Sequence, residues 1–489
     1  MHHYGLDPSH YVSAPALSWD GMLKMTGVKI ELFTDMTMHD FTEKAKRGGI
    51  AMAGHRFLKA NKPKMGDSFN PSKPTTWISY VDANNLYGWA MSQYLPIGNY
   101  RWEASPEYFK QNLDKQKQIL NVILNTKPDA AHLPPAVDSI AMEGDFPETE
   151  KLVPHLSKHE DYVIHYQELQ YYIKLGMVVD EITQVLSFDQ DNCLCKTMEN
   201  VRKYQDVKLM RMINENDEKK FLKKVRKPSF KYARQLGNTL VGAHMGKASV
   251  ILNKPIIIGA SVLGLSKLLM YRFWYGFVKE KYGNKVRLGY MDTDSFIYHV
   301  ETEDIYKDMA ERPDLFDLND TKTIGLFKDE TPGNVITESY HIRAKSYHYV
   351  LADKSTKSKH KGVSKKGMSD MAKDTYFPSL GGTLLDDTVE KDEIFDPMTQ
   401  VYRDCLFENG VFYAKNVGMR TKNHVISLIE SEKKALSPID TKRWICQMVY
   451  PPYYSDTGVF KYIRNFLSVV QVMRQQKKIA IGTRLPEKY

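Results

Sequence analysis

Cysteine is scarce in this chain: four in 489 residues, with Cys193 and Cys195 in a C-x-C pair and Cys405 and Cys446 as distant singles. That spacing builds neither a disulfide framework nor a four-ligand zinc site, so reduced thiols are expected. Long apolar runs are missing too. The longest, Pro255 to Leu265, is broken by Gly and Ser and falls short of the roughly 18 residues that suggest a membrane span. A soluble protein is the expectation. Met1 to Pro8 shows no cationic stretch leading into an apolar one, which argues against a secretory signal and for an intracellular site. No segment recurs at a period of about 20 to 50 residues, which sets repeat architectures aside.

What is present is an ordinary globular composition, 42% hydrophobic and 26% charged with 20 Phe and 30 Tyr. At this length it implies two to four subdomains rather than one core. The charge balance, 68 Lys and Arg against 59 Asp and Glu, is +9, and its placement says more than its size. Lys196 to Arg234 carries thirteen Lys and Arg against five acids, and Lys345 to Lys366 carries seven lysines against Asp353 alone, with Tyr347, His348 and Tyr349 interleaved. Such patches are either solvated surface or contacts for phosphate backbones.

Along the chain, Asn61 to Thr76 is polar and linker-like. Trp77 to Val81 is a β-prone run that reaches Asp82, and Asn85 to Tyr94 follows with helical spacing. Glu103 to Leu124 and Asp161 to Leu175 have apolar residues at intervals of three and four and predict amphipathic helices, while the Pro-rich stretch Lys127 to Pro154 predicts a loop. The basic segment 196–234 predicts helix interrupted at Pro228. Val262, Leu265, Leu269 and Phe273 mark a longer helix ending near Tyr282-Gly283. Val286 to Met291 and Phe296 to Val300 then read as two strands of a hairpin around Asp292-Thr293-Asp294-Ser295.

Asp292 and Asp294 stand two apart in that turn, where both carboxylates can converge on one point. Like charges so close are tolerated only when a cation neutralises them. Asp is also simply a good turn residue, but Asp-Thr-Asp-Ser after Tyr290 with β-prone flanks is a rare combination. Asp82, at the carboxyl end of a β-run that opens into a helix, is placed either as a metal ligand or as a helix cap. Two strand-end carboxylate sites together with two basic patches point to a two-metal centre acting on a phosphate ester.

Val81-Asp82-Ala83-Asn84-Asn85-Leu86-Tyr87 resembles motif A of family B DNA polymerases, and Tyr290-Met291-Asp292-Thr293-Asp294-Ser295 is similar to their motif C. Lys46-Arg47-Gly48-Gly49-Ile50 resembles the glycine motif of the protein-primed branch, with Lys46 at the usual tyrosine position, and Arg343-Ala344-Lys345-Ser346-Tyr347 resembles the Lys-x-Tyr motif. The resemblance runs from Tyr11 to Trp444 and is nearest to the polymerases of linear viruses, organellar plasmids and Polinton-like transposons.

It implies an α+β right hand, a palm sheet with helical fingers and thumb. The divisions are 1–75 leading to the palm, 76–180 palm with motif A and an insertion, 181–283 fingers and basic region, 284–350 palm with motif C, and 351–489 thumb-like. It also implies a DNA-directed DNA polymerase that transfers nucleotides from deoxynucleoside triphosphates to a DNA-templated primer or to a hydroxyl of a terminal protein. Asp82, Asp292 and Asp294 would be catalytic. Asp82, the Ala83 carbonyl and Asp294 would hold two Mg²⁺ ions, with Mn²⁺ as a substitute. Tyr87 would lie under the incoming sugar and exclude a 2′-hydroxyl; otherwise it is a core aromatic. Gly48 and Gly49 would approach template phosphates, and Lys345 with Tyr347 would hold the primer.

Two departures from the family pattern stand out. Only 45 residues precede Lys46 and contain no Asp-x-Glu pair, so the exonuclease domain is expected to be absent. In motif B the aromatic-Gly pair reads Leu194-Cys195, Leu186 to Gln190 runs straight into the motif, and Phe188 falls where a phosphate-binding lysine belongs. Lys196 is the nearest replacement for that nucleotide-binding charge. A degenerate mobile-element remnant that binds DNA without polymerising is therefore the alternative; a metal-dependent nuclease would leave Tyr87 and the glycine motif unexplained.

Overall fold

Trp77, Ile78, Tyr80 and Val81 put bulky side chains on both faces of one extended run, and all four are buried, as a central strand covered on both faces requires. The computed structural model describes residues 5–11, 14–111, 118–125, 136–141, 150–155, 158–192, 209–214, 226, 230–237, 240–245, 252, 254–376, 396–422 and 425–439. The chain divides into two compact units, and these residues lie in the larger, Met1–Lys127 with Leu133–Trp444.

Nine strands form the main sheet: β1 Ala51–Ala53, β2 Phe57–Lys59, β3 Thr76–Ala83, β4 Val286–Asp292, β5 Ser295–Glu301, β6 Phe327–Asp329, β7 Ile336–Arg343, β8 Ser346–Leu351 and β9 Thr356–His360. Their order is β1-β4-β5-β3-β7-β8-β9, with β6 paired to β3 and β2 to β7, and every pairing is antiparallel. One face carries Ile78, Tyr80, Tyr290, Ile297, Tyr347 and Tyr349 in a single cluster.

Four helices matter below: α1 Met36–Ala45, α2 Leu86–Met91, α3 Tyr166–Lys174 and α4 Ile256–Phe273. Helix α4 packs on the opposite sheet face, where Phe273 stacks on Phe327 at 3.8 Å and on Phe296 at 5.7 Å between centroids. It continues through a π-turn and a last helical turn to Tyr282, and Gly283 stops it at φ 53°, a conformation that glycine adopts without Cβ strain. By length and composition the stretch Ile256–Lys285 could cross a membrane, yet 72% of its apolar window is buried inside the protein. It is a core helix.

The expected long helix from Glu103 to Leu124 does not form: Pro106–Gln111 is a short helix and Gln118–Asn125 is a strand. Ile119, Leu120, Val122 and Leu124 are buried in the middle of a sheet with His159–His165 and Val178–Asp191, so pairing overrode local periodicity. For the same reason Asp161 to Leu175 splits into the strand His159–His165 and helix α3. The expected loop 127–154 contains the paired strands Ala136–Ala141 and Glu150–His155. In the basic segment Leu209–Asn214 and Phe230–Gly237 are strands of a three-stranded sheet with Leu240–Met245 rather than helix, and Arg226 is in a turn; Pro228 lies outside the described residues. Toward the C-terminus, the helices Lys365–Tyr376 and Pro397–Phe407 share a core with Tyr340 and Ile342 of β7. That core includes Cys405, a free buried thiol; the other three cysteines lie outside the described residues.

His348 on β8 is fully buried, bonded through Nδ1 to Ser358 Oγ at 2.8 Å and through Nε2 to Thr399 Oγ1 at 2.7 Å. Burial lowers its pKa to about 4, against the pull of Asp396 and with the help of His360. The folded state therefore prefers the neutral ring. The stability this confers is complete above the ordinary histidine pKa and is lost as pH falls from about 6.5 toward 4. His348→Gln, which can keep both hydrogen bonds, should reduce the slope of unfolding free energy against pH in that window by up to about 1.4 kcal/mol per pH unit. Urea melts at pH 4.5, 5.5 and 7 would show this, and an unchanged slope would mean that His348 does not govern the acid response.

Candidate active site

The register of the main sheet brings the sequence-predicted carboxylates together. Ser295 lies opposite Asp82, Asp292 opposite Ser295, Ala51 opposite Asp292, and Lys328 opposite Asp82. At this one sheet end, then, β1, β4, β5, β3 and β6 stand side by side with three aspartates among them. The Ala83 N–H donates to the Asp294 carbonyl at 2.7 Å, which ties the two carboxylate-bearing segments backbone to backbone.

Thr293, between the two aspartates, has φ 61°, a left-handed conformation that costs a β-branched residue of order 1–2 kcal/mol. Its N–H donates to the Ile50 carbonyl at 2.7 Å. A Cβ built on Gly49 would meet Thr293 Cγ2 at 2.5 Å, so this glycine is required by close packing against the carboxylate turn. The glycine motif and motif C thus form one unit.

Burial, then the charges of Asp294 and Glu330, push the Asp82 carboxyl up to about 7, with Lys328 and Lys359 pulling it back. Asp294 is raised first by burial and also by Asp292. Asp292 itself is paired with Lys345, Nζ to Oδ1 at 2.7 Å. Lys345 sits at φ 62° in the β7–β8 turn, and its N–H donates to the Tyr290 hydroxyl at 2.6 Å.

Tyr347 is a core residue, 3% exposed, with its hydroxyl 2.9 Å from that of Tyr80; it lies beneath the site. Tyr87 is half-buried on α2. That helix is capped by the Asn85 side chain, which accepts from the Gly88 N–H at 3.2 Å. Lys196 and the rest of 193–208 lie outside the described residues.

Among the described residues no three His, Cys, Asp or Glu side chains are gathered so as to hold a metal ion. The site offers instead two mutually repelling, part-buried carboxylates, Asp82 and Asp294, a donor set suited to Mg²⁺, which takes one or two carboxylates and completes its shell with water and substrate phosphates.

Sequence reasoning missed Lys328 and Glu330, which pair with each other at 2.7 Å, with Lys328 Nζ 3.8 Å from Asp82 Oδ1. Lys328 lies in the three-residue strand β6, too short to mark in sequence, and Glu330 follows just beyond its end. It also missed the buried Glu168 and Lys267, whose partners come from distant segments.

The antiparallel sheet with helices on one face and paired carboxylates at one strand end is an α+β fold. Over 87% of this chain and 68% of the other, at 13% identity and a TM-score of 0.50, it is similar to phi29 DNA polymerase in an orthorhombic crystal form. Phi29 DNA polymerase complexed with primer-template DNA, and the ternary complex with incoming nucleotide substrates, align at a TM-score of 0.47. No protein-family model matches the chain, and no curated protein matches it.

Gly49→Ala should force Thr293 aside and cost about 1–3 kcal/mol in urea denaturation. Thr293→Ser removes the methyl that the new Cβ meets first, so the double variant should recover part of that loss, a coupling of about 0.5–3 kcal/mol. Strict additivity would mean that the two residues are not in contact.

Proposed function

We propose that this chain is a DNA-directed DNA polymerase of the protein-primed family B kind, with the main sheet as palm. The observation that carries the reading is the juxtaposition of Asp82 and Asp294 by the β3–β5 ladder, in a fold similar to that of phi29 DNA polymerase. Asp82, Asp294 and the Ala83 carbonyl would hold two Mg²⁺ ions, or Mn²⁺ in their place. Bound there, the ions would acidify the primer 3′-hydroxyl, or a hydroxyl of a terminal protein, and neutralise the triphosphate.

The chain's own residues do the rest. Lys345 holds Asp292 in place and sets a positive charge at the mouth of the site, available to a primer phosphate. Buried Tyr347 supports that turn from below. Tyr87 would lie under the sugar of the incoming deoxynucleotide, and Gly48 would let the backbone approach template phosphates.

One observation favours the alternative, a remnant that binds DNA but does not polymerise. Phe188, in the position expected for the phosphate-binding lysine, is 3% exposed within the strand Val178–Asp191, so no cation can be offered from there.

Primer extension with Mg²⁺ and with Mn²⁺, run beside DNA-binding titrations at several salt concentrations, tests the reading. Asp82→Asn and Asp294→Asn should each abolish extension and leave DNA affinity nearly unchanged, because an amide cannot neutralise a divalent cation. Affinity should fall steeply with salt as phosphate contacts release counterions; extension at the parental rate by either variant would remove the metal assignment.

The second reading is separated by repair. Inserting a family-like lead-in helix before Cys193 and changing Leu194-Cys195 to Phe-Gly should raise nucleotide affinity by roughly one to two decades per restored charge-assisted contact. If the parent already extends processively, the remnant reading is wrong.

A further inference from the structure

Behind the glycine motif lies a buried ionic cluster that the proposed chemistry does not use. Arg47, Glu168 and Lys267 are 8%, 4% and 5% exposed. Arg47 comes from the segment after α1, Glu168 from α3 and Lys267 from the middle of α4. The Lys267 ammonium donates to the Arg47 carbonyl at 3.2 Å and to the Leu263 carbonyl at 3.1 Å, and lies 4.0 Å from Glu168 Oε1. That same carboxylate oxygen accepts from the Tyr172 hydroxyl at 3.1 Å. The Arg47 guanidinium donates to the Val163 carbonyl at 2.7 Å and covers the Tyr162 ring at 3.7 Å. Gly264 makes room for the cluster: a Cβ there would stand 2.9 Å from Glu168 Oε2.

Burying three charges for stability alone is a poor bargain, since an apolar cluster of the same volume usually does as well. What this cluster does that an apolar one cannot is hold a main-chain carbonyl at a fixed point. The carbonyl belongs to Arg47. Two residues on, Gly49 packs against Thr293, and Ile50 accepts the Thr293 N–H; Ala51 then pairs with Asp292. A short, covalently continuous path therefore runs from the Lys267 ammonium to the turn that carries Asp292 and Asp294.

We propose that Lys267 and Glu168 are positioning residues for that carboxylate turn: Lys267 fixes the Arg47 carbonyl, Glu168 keeps Lys267 aimed at it, and the Gly48–Ala51 backbone transmits the constraint to Thr293. The proposal rests on the polymerase reading only in calling these carboxylates catalytic.

The test uses the full chain and the double variant Lys267→Met with Glu168→Gln, which removes the ammonium without stranding a buried carboxylate and leaves an amide for Tyr172. Hydrogen–deuterium exchange is followed by mass spectrometry on the peptide spanning residues 290–296, with global stability measured in parallel. Exchange at the Thr293 amide should rise at least tenfold beyond any change that global stability accounts for. Lys267→Arg, which keeps a cationic donor, should restore protection. Where the methionine variant does not fold, Lys267→Gln with Glu168→Gln replaces it, because the shorter amide does not reach the Arg47 carbonyl. Exchange within twofold of the parent in the folded double variant overturns the proposal.

If the parent extends primers, the double variant should lose kcat with KM for nucleotide little changed, whereas a merely structural cluster would leave both intact once stability is restored. A parent that fails to extend removes the polymerase reading, and the exchange measurement still decides this one.

Discussion

Asp82 and Asp294 repel each other in a half-buried place, and most of what surrounds them exists to keep them there. Neither carboxyl ionises at its ordinary pKa: burial raises both, the charges of Asp294 and Glu330 add to the rise at Asp82, and that of Asp292 adds to it at Asp294. A pair under that repulsion separates unless the backbone forbids it. Here the restraint is a ladder in which Ser295 faces Asp82 and the Ala83 amide is bonded to the Asp294 carbonyl. The turn between β4 and β5 adds a strained threonine, held by Ile50 and seated on a glycine that has no room for a side chain. Strain of this kind persists only where the surroundings over-determine it, and the surroundings are the strands on either side.

The two faces of the sheet supply that rigidity differently. Against α4 it is aromatic: Phe273, Phe296, Phe327 and Trp274 stack into one layer, which anchors β5 and β6 and hence the segments that carry Asp294 and Lys328. On the carboxylate face it is phenolic. Tyr80 lies edge to face with Tyr347 and Tyr349 and meets the Tyr347 hydroxyl with its own, while Tyr290 tilts against Tyr347, so Tyr290 and Tyr347 both belong to this buried layer. Tyrosine suits this layer because its ring fills the core while its hydroxyl satisfies a polar neighbour, here the Lys345 amide. The cationic side chains that ring the carboxylates, Lys328, Lys345 and Lys359, then moderate a charge that the apolar floor alone would make untenable.

How much of this could be read from the chain alone varied with the range of the interaction. The strand to Asp82, the helix after it, the hairpin around Asp292 and Asp294 and the core helix ending at Gly283 were legible because each is encoded within a dozen or so residues, by alternation, by a turn or by a stop signal. Gln118–Asn125 and Leu209–Asn214 were not, because their apolar spacing suits helix and strand alike and pairing with a distant strand decided the matter. The identities of the candidate carboxylates and of the glycine were thus determined by sequence. Which of them meet, that Tyr347 lies under the site, that Lys345 clamps Asp292, and that Glu168 and Lys267 gather with Arg47 from more than a hundred positions away, were decided by tertiary structure alone. Electrostatic pairing depends on distance in space, and no local pattern in the chain carries that distance.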